Sequence, residues 1–320
     1  MLRRKAFTML ELIFAIVVIG ILAKFGVEFL AQAYRGFIYT NVNHSLQSQS
    51  ENAVEIIASR LQYRIKDSVI ARTNQATFVP VAEANTTNFI VLEWIGEDID
   101  GFRGTQTPYW SGIVDINHPN LSGTNIISPA TNTGTASALI NTLSYTDSTL
   151  NDAALYYVGS NQNILGYGWS GTYNANNSVA MNNAEASIHP INAALVNSFT
   201  IMQPLPVGFQ NVYEYYKIAW TAYAIVMENY GANADNPNTG QLALYYDYQP
   251  WINNGISNET YWANGKRTLL AENVSSFQFA AMGSLLKVKV CVKSGFIDGQ
   301  SIDTAGTKQG YALCKDKTIF

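Results

Sequence analysis

The sequence is short of charged residues. Asp, Glu, Lys and Arg make up 13% of the 320 residues, which is about half the share in an average soluble protein. No lysine occurs between Lys66 and Lys217, and Arg103 is the only lysine or arginine from Thr73 to Thr200. Nucleic-acid binding requires a basic face that neutralises phosphates. The charge distribution therefore argues against a direct nucleic-acid partner.

Cysteine and histidine are also scarce. The three histidines lie far apart in the chain, and the two cysteines, Cys291 and Cys314, both lie within the last thirty residues. This spacing lacks the ligand pattern of a zinc site. In an exported chain an even pair of cysteines predicts one disulfide. The alternative, in a reducing compartment, is a pair of buried thiols.

Enzyme motifs are weak in this sequence. The stretch Gly166–Gly171 (GYGWSG) has the glycine spacing of a dinucleotide-binding loop, but the residues after it do not form the amphipathic helix that such a loop needs. There is no G-x-S-x-G motif, and no histidine lies near a candidate serine or cysteine nucleophile. We therefore predict that the protein is not an enzyme.

Two acidic loops could hold a hard cation through carboxylate and backbone oxygens. One contains Asp98 and Asp100, and the other contains Asp298 and Asp303. Neither has the full spacing of a calcium-binding loop, and a solvated acidic turn is the simpler interpretation. We predict no cofactor and keep calcium at these two loops as the alternative.

The N-terminus contains a membrane-length apolar run. Arg3, Arg4 and Lys5 precede it, and Glu11 is the only charge from Phe7 to Ala23. About twenty apolar residues cross a bilayer as a helix, and the positive-inside rule keeps the basic end in the cytoplasm. We therefore expect a single-pass inner-membrane protein with a periplasmic head. A cleaved signal peptide is the alternative, but the helical pattern continues without a break.

The residues at the start of this run resemble a known processing site. Ala6–Leu12 (AFTMLEL), between the basic leader and the apolar helix, resembles the site in type IV pilins and type II secretion pseudopilins. The resemblance implies that a prepilin peptidase cleaves between Ala6 and Phe7 and that Phe7 is then N-methylated. It also implies that the Glu11 carboxylate neutralises the new amine of an adjacent subunit during filament assembly.

The sequence departs from this family in two places. Ala6 stands where the family usually has glycine, which implies slower processing. Glu28 stands where major pilins commonly have proline, so local melting of the helix in a filament would have to rely on Gly20, Gly26 and Gly36.

The resemblance also implies the partners and the compartment of the protein. The partners would be the prepilin peptidase, other pilin or pseudopilin subunits and an inner-membrane assembly platform, and the product would be a periplasmic or surface filament. The stretches Leu270–Phe279 and Leu244–Tyr248 resemble large minor subunits of the W or J type. A chain of this size would crowd a densely packed shaft, which favours an initiating or tip subunit.

A ligand-binding module is the alternative function. The head is rich in asparagine and aromatic residues, and aromatic side chains are enriched in binding surfaces. Trp251, Tyr261 and Trp262 are the candidate surface residues. In this alternative the head is an adhesin carried on a pilin stem.

The predicted fold is α+β. The predicted segments are a leader (1–6), a transmembrane and assembly helix (7–31), an amphipathic helix (32–72) and a β-rich head (73–320) with a disulfide loop (291–314). The prediction of the amphipathic helix rests on apolar residues spaced by three and four positions, which form one face that should pack on a sheet. These residues are Val54, Ile57, Leu61, Ile65 and Val69.

Strand patterns follow in the head. Alternating or apolar runs predict strands at 88–95, 216–227, 242–248, 268–279 and 285–292, and their short connections predict an antiparallel meander. In the last of these runs every second residue from Leu286 to Val292 is apolar, so one face should be buried. Residues 100–200 are rich in Asn, Ser, Thr and Gly and are predicted to form a large loop-rich insertion.

Overall fold

The computed structural model describes residues 8–73, 75, 77–84, 88–122, 124–160, 163–170, 187–201, 212–234, 236–252, 259–295 and 310–320. The chain divides into two compact units, Met1–Ser48 and Gln49–Phe320. The first is helical from Met9 onward, and the second contains the strands. A long N-terminal helix together with a large antiparallel sheet confirms the α+β class.

Three α-helices and thirteen strands occur within the described ranges. The helices are α1 (Met9–Leu61), α2 (Ile99–Arg103) and α3 (Thr133–Leu143). The strands are β1 (Ile70–Arg72), β2 (Phe78–Pro80), β3 (Val91–Gly96), β4 (Asn125–Ile127), β5 (Ala154–Tyr157), β6 (His189–Leu195), β7 (Ser198–Ile201), β8 (Tyr216–Ala219), β9 (Thr221–Glu228), β10 (Gly240–Tyr246), β11 (Lys266–Met282), β12 (Leu285–Lys293) and β13 (Ala312–Ile319).

The strands form two antiparallel sheets. The larger sheet has the order β13-β12-β11-β10-β9-β3-β1-β2, and the smaller has the order β4-β7-β6-β5-β8. From β9 to β13 successive strands are neighbours, as the predicted meander requires. The predicted strand at 216–227 is in fact two strands, β8 and β9, separated by Trp220 and belonging to different sheets.

The second helix is shorter than the sequence predicts. The predicted helix extends to residue 72, whereas α1 ends at Leu61 and β1 begins at Ile70. Backbone bonds to β3 replace the helical pattern, since the Ile65 amide donates to the Ile95 carbonyl at 2.9 Å. Ile65 and Val69 are buried as predicted, but they belong to an extended segment whose apolar spacing happens to continue that of the helix.

The end of α1 covers one face of the larger sheet. Along β12 the residues Leu286, Val288, Val290 and Val292 are buried, which confirms the predicted alternation. Val288 and Val290 lie directly opposite Lys317 and Lys315 of β13. Those two lysines contact Glu55 and Glu51 of α1 at 2.5 and 3.5 Å. The buried face of β12 is therefore the face that α1 covers.

The described part of the predicted loop-rich insertion contains most of the smaller sheet. Strands β4 to β7 and helix α3 all lie between residues 100 and 201. Strand β5 has both faces buried, because Ala154 and Tyr156 pack in one apolar cluster while Leu155 and Tyr157 pack in another. Local sequence patterns do not predict this sheet, because several of its strands have only three or four residues and pair with distant segments, as β4 does with β7.

Arg64 joins three segments beside the end of α1. Its guanidinium donates to the Leu61 carbonyl at 2.8 Å, to the Ser284 carbonyl in the β11–β12 turn at 2.7 Å and to the Phe320 carbonyl at 3.4 Å. A cation at this position also complements the negative end of the helix dipole. Arg64 is buried, so these contacts fix the turn and the final strand relative to the helix end.

Candidate functional site

The start of α1 holds the motif that the sequence analysis singled out. Thr8 immediately precedes the helix, and Glu11 lies in its first turn. The Glu11 amide and the Thr8 hydroxyl are 3.4 Å apart, and the same hydroxyl lies 3.4 Å from the Glu11 carboxylate. Such contacts satisfy donors that a helix start leaves unpaired. Ala6 and Phe7 lie outside the described residues.

Glu11 is held at a place where negative charge is favourable. The amide groups of the first turn create a partial positive charge, which a carboxylate stabilises. The Glu11 side chain is exposed, so it is available to a group outside its own helix.

The apolar residues after Glu11 are exposed along the helix. Phe14, Phe25 and Phe29 are 71%, 64% and 71% exposed, and their neighbours are similar. This helix is long and apolar enough to cross a membrane.

Asp98 lies in the interior and caps α2. Its carboxylate accepts hydrogen bonds from the Gly101 amide at 3.1 Å and from the Trp110 indole at 3.0 Å. Burial raises the pKa of Asp98 to about 6. A calcium ion would have to replace both donors, whereas the neighbouring Asp100 is exposed. The geometry therefore favours a structural role for Asp98.

The second acidic loop, with Asp298 and Asp303, lies outside the described residues. Among the residues that the structure does describe, no three or more His, Cys, Asp or Glu side chains form a group that could hold a metal ion.

The glycine-rich loop packs into the interior. Gly168 has φ +94°, and a Cβ atom there would lie 2.0 Å from the Pro250 carbonyl oxygen. Tyr167 and Trp169 on either side are buried, and the Trp169 carbonyl accepts a hydrogen bond from Arg72 at 2.6 Å. These contacts explain the glycine by close packing, with no phosphate required.

The candidate aromatic surface is mostly buried. Trp251 and Tyr261 are 2% and 6% exposed and belong to the core, so their predicted surface role is wrong. Trp262 is partly buried, with its ring 5.4 Å from the Arg72 guanidinium. The indole of Trp251 donates to the Asp152 carbonyl at 3.0 Å. Sheet packing explains these aromatic side chains.

A buried ion pair was missed by the sequence analysis. Arg72 of β1 pairs with Glu93 of β3, and both side chains are 1% exposed. The Tyr248 hydroxyl donates to the other Glu93 oxygen at 2.8 Å. Burial raises the pKa of Glu93, although Arg72 opposes that effect. Spacing in the sequence gives no sign of this pair, since it depends on the pairing of β1 with β3.

The two cysteines form the predicted disulfide. Cys291 and Cys314 are joined with Cα atoms 4.0 Å apart. They are also directly opposed in the register of β12 and β13. Cys314 therefore lies within β13, a strand that the sequence patterns do not predict. The disulfide links this last strand covalently to β12 of the larger sheet.

Comparison of the chain with protein-family models, curated proteins and solved structures found no match.

Proposed function

We propose that this protein is a minor pilin or pseudopilin, a structural subunit of a type IV pilus or a type II secretion pseudopilus. The observation that carries the proposal is the sequence around Ala6-Phe7, placed directly before an apolar helix with Glu11 in its first turn. In this proposal the protein has no catalytic role, and it acts at the tip or at initiation.

The mechanism follows from charge at the helix start. Cleavage between Ala6 and Phe7 would create an amine next to the positive end of the α1 dipole, which is unfavourable. A carboxylate from a neighbouring subunit would neutralise this amine. A charge left unpaired among apolar helices costs several kcal/mol. Pairing of Phe7 with Glu11 would therefore select one register between neighbouring subunits.

The proposed pathway begins in the inner membrane. The helix would anchor the chain with the basic leader in the cytoplasm and the head in the periplasm. A prepilin peptidase would remove the leader, and methylation of Phe7 would follow. An assembly platform would then pass the subunit into a filament of other pilins or pseudopilins.

Mass spectrometry of the protein from its native membrane tests the processing step. We expect an N-terminus at Phe7 that is 14 Da heavier than the unmodified residue, about the mass of one methylene group. An N-terminus at Met1, or one near residue 25, would refute processing at Ala6-Phe7.

The assembly step is tested by Glu11→Ala. The variant should insert into the membrane at wild-type levels but be lost from sheared filaments. Glu28→Ala is the matched control, since it removes a second exposed carboxylate of α1 outside the motif. Equal recovery of wild type and Glu11→Ala in filaments would contradict the proposal.

A further inference from the structure

Strand β13 forms an open edge of the larger sheet. Within the described part of the chain it pairs only with β12. An edge strand presents backbone N–H and C=O groups that another strand can use. The opposite edge, β2, has only three residues and ends in Pro80, which discourages pairing. The two edges of the sheet thus differ in their capacity to accept a strand.

The β13 edge is regular and held in place. Eight consecutive residues of β13 pair with β12 without a register shift, whereas the pairing of β11 with β12 is interrupted. The Cys291–Cys314 disulfide and the contacts of Lys315 and Lys317 with α1 restrain the strand. A preorganised edge loses less conformational entropy on binding.

This edge is also basic. Strands β12 and β13 together carry five lysines and one aspartate, a net charge of +4, while the whole chain carries −4. Glu51 and Glu55 of α1 pair with Lys315 and Lys317 and reduce the local charge from +4 to +2. Lys315 and Lys317 are 34% and 42% exposed. Their side chains lie on the face that borders a cleft between α1 and β13, lined by Ala58, Gln62 and Ile319 among others.

The charge order disfavours pairing of β13 with a second copy. In an antiparallel pair of β13 strands related by a two-fold axis, side chains that are opposite each other lie on the same face of the sheet. Opposed residues therefore both have even numbers or both have odd numbers. Centring the pair on Asp316 opposes Asp316 to Asp316 and Lys315 to Lys317. Moving the centre by one residue opposes a lysine to itself. Moving it by two residues, to Cys314 or Thr318, avoids like-charge contacts but leaves at most five of the eight residues of β13 in the pair. Like charges directly opposite each other are destabilising.

We propose that β13 is a docking edge for an extended acidic segment of a different protein. That segment would add to the sheet as an antiparallel strand. Carboxylates at alternate positions would face Lys317 and Lys315 and would share these lysines with Glu55 and Glu51 of α1. Apolar side chains two residues further along would face Ile319 and Leu313. This inference concerns the head and does not depend on processing at Phe7.

Two synthetic peptides test the proposal on the full chain in detergent micelles. The first has the order Val-Thr-Glu-Lys-Glu-Thr-Val, which complements Ile319 to Leu313 in an antiparallel strand. The second exchanges Glu and Lys at its three central positions. We expect the first peptide to bind at least tenfold more tightly, and hydrogen exchange of the β13 amides to slow when it binds.

Two controls separate strand addition from general attraction of anions. A copy of the first peptide with N-methyl groups on alternate residues should not bind, because its backbone cannot pair. The variant Lys315→Glu/Lys317→Glu should reverse the preference between the two peptides. Lys66→Glu, which changes an exposed lysine outside β12 and β13, should leave the preference unchanged. If the double variant fails to fold, the difference in affinity between the two peptides for the wild-type protein decides whether the proposal holds.

The proposal fails if both peptides bind equally, if the N-methylated peptide binds as well as its parent, or if exchange slows outside β13 only. A dimer in sedimentation that dissociates when Lys317 is changed to Glu would also overturn it, because the edge would then accept a second copy.

Discussion

Asp98 shows how a single side chain can make stability depend on pH. Its pKa is raised to about 6 by burial, whereas an unfolded aspartate titrates near 3.9. Between these values the folded state binds more protons than the unfolded state, so the free energy of unfolding falls as pH rises. Two pKa units correspond to about 3 kcal/mol.

We therefore expect the unfolding free energy of the wild type to decrease by about 3 kcal/mol or less between pH 4 and pH 6.5 on account of Asp98. Asp98→Asn should remove this dependence and lower stability by about 1–3 kcal/mol, since the amide cannot accept both N–H groups. Urea unfolding at several pH values measures both effects. Asp100→Asn, at an exposed position, should retain the wild-type slope.

The Arg72–Glu93 pair is predicted to be strongly coupled. Glu93→Gln leaves a buried guanidinium without its counter-charge and should destabilise the protein by about 3–5 kcal/mol. Arg72→Met/Glu93→Leu removes both charges and should recover most of that loss. Additive effects in a double-mutant cycle would show that the two side chains do not stabilise each other.

At the scale of single elements, β13 depends on its disulfide. Closing a loop with a sequence separation of 23 residues stabilises a fold by about 3 kcal/mol on chain-entropy grounds. Cys291→Ala/Cys314→Ala should therefore lower Tm by about 5–10 °C. Wild type treated with dithiothreitol should match the untreated variant, and a reductant effect on the variant itself would point to another cause.

Some elements follow from local sequence and others do not. The alternation from Leu286 to Val292 identifies β12 because period two is a local signal. Strand β13 (ALCKDKTI) has three consecutive charged residues and no alternation of apolar and polar residues, and it is a strand because β12 lies beside it. The end of α1 was misplaced because Ile65 and Val69 continue a helical spacing while their backbone pairs elsewhere.

The residues of the candidate site also fall into two groups, those that local sequence identifies and those that it does not. Glu11 and its neighbours form a contiguous motif, so the sequence reveals them. The burial of Asp98, Trp251 and Tyr261 depends on contacts between distant segments, and composition alone suggested exposed loops for all three.

On the scale of the whole molecule, the division after Ser48 predicts an independently folding head. The unit Gln49–Phe320 contains both sheets and the covering end of α1. A fragment of residues 49–320 should be monomeric without detergent and unfold cooperatively. Its near-ultraviolet circular dichroism should match that of the full chain in micelles. An exposed core, detected by dye binding, would show that residues before 49 are needed.

A pulling force applied along α1 would enter the head at Leu61, where this helix ends. Beyond Leu61, the first bonds across to β3 join Glu97 to Tyr63 and Ile65 to Ile95. Arg64, anchored to the β11–β12 turn and to the last residue, would share that load with the far side of the sheet. A force applied along α1 would then be resisted by several hydrogen bonds at once, and the Arg64 guanidinium would extend that resistance to the β11–β12 turn and the last strand.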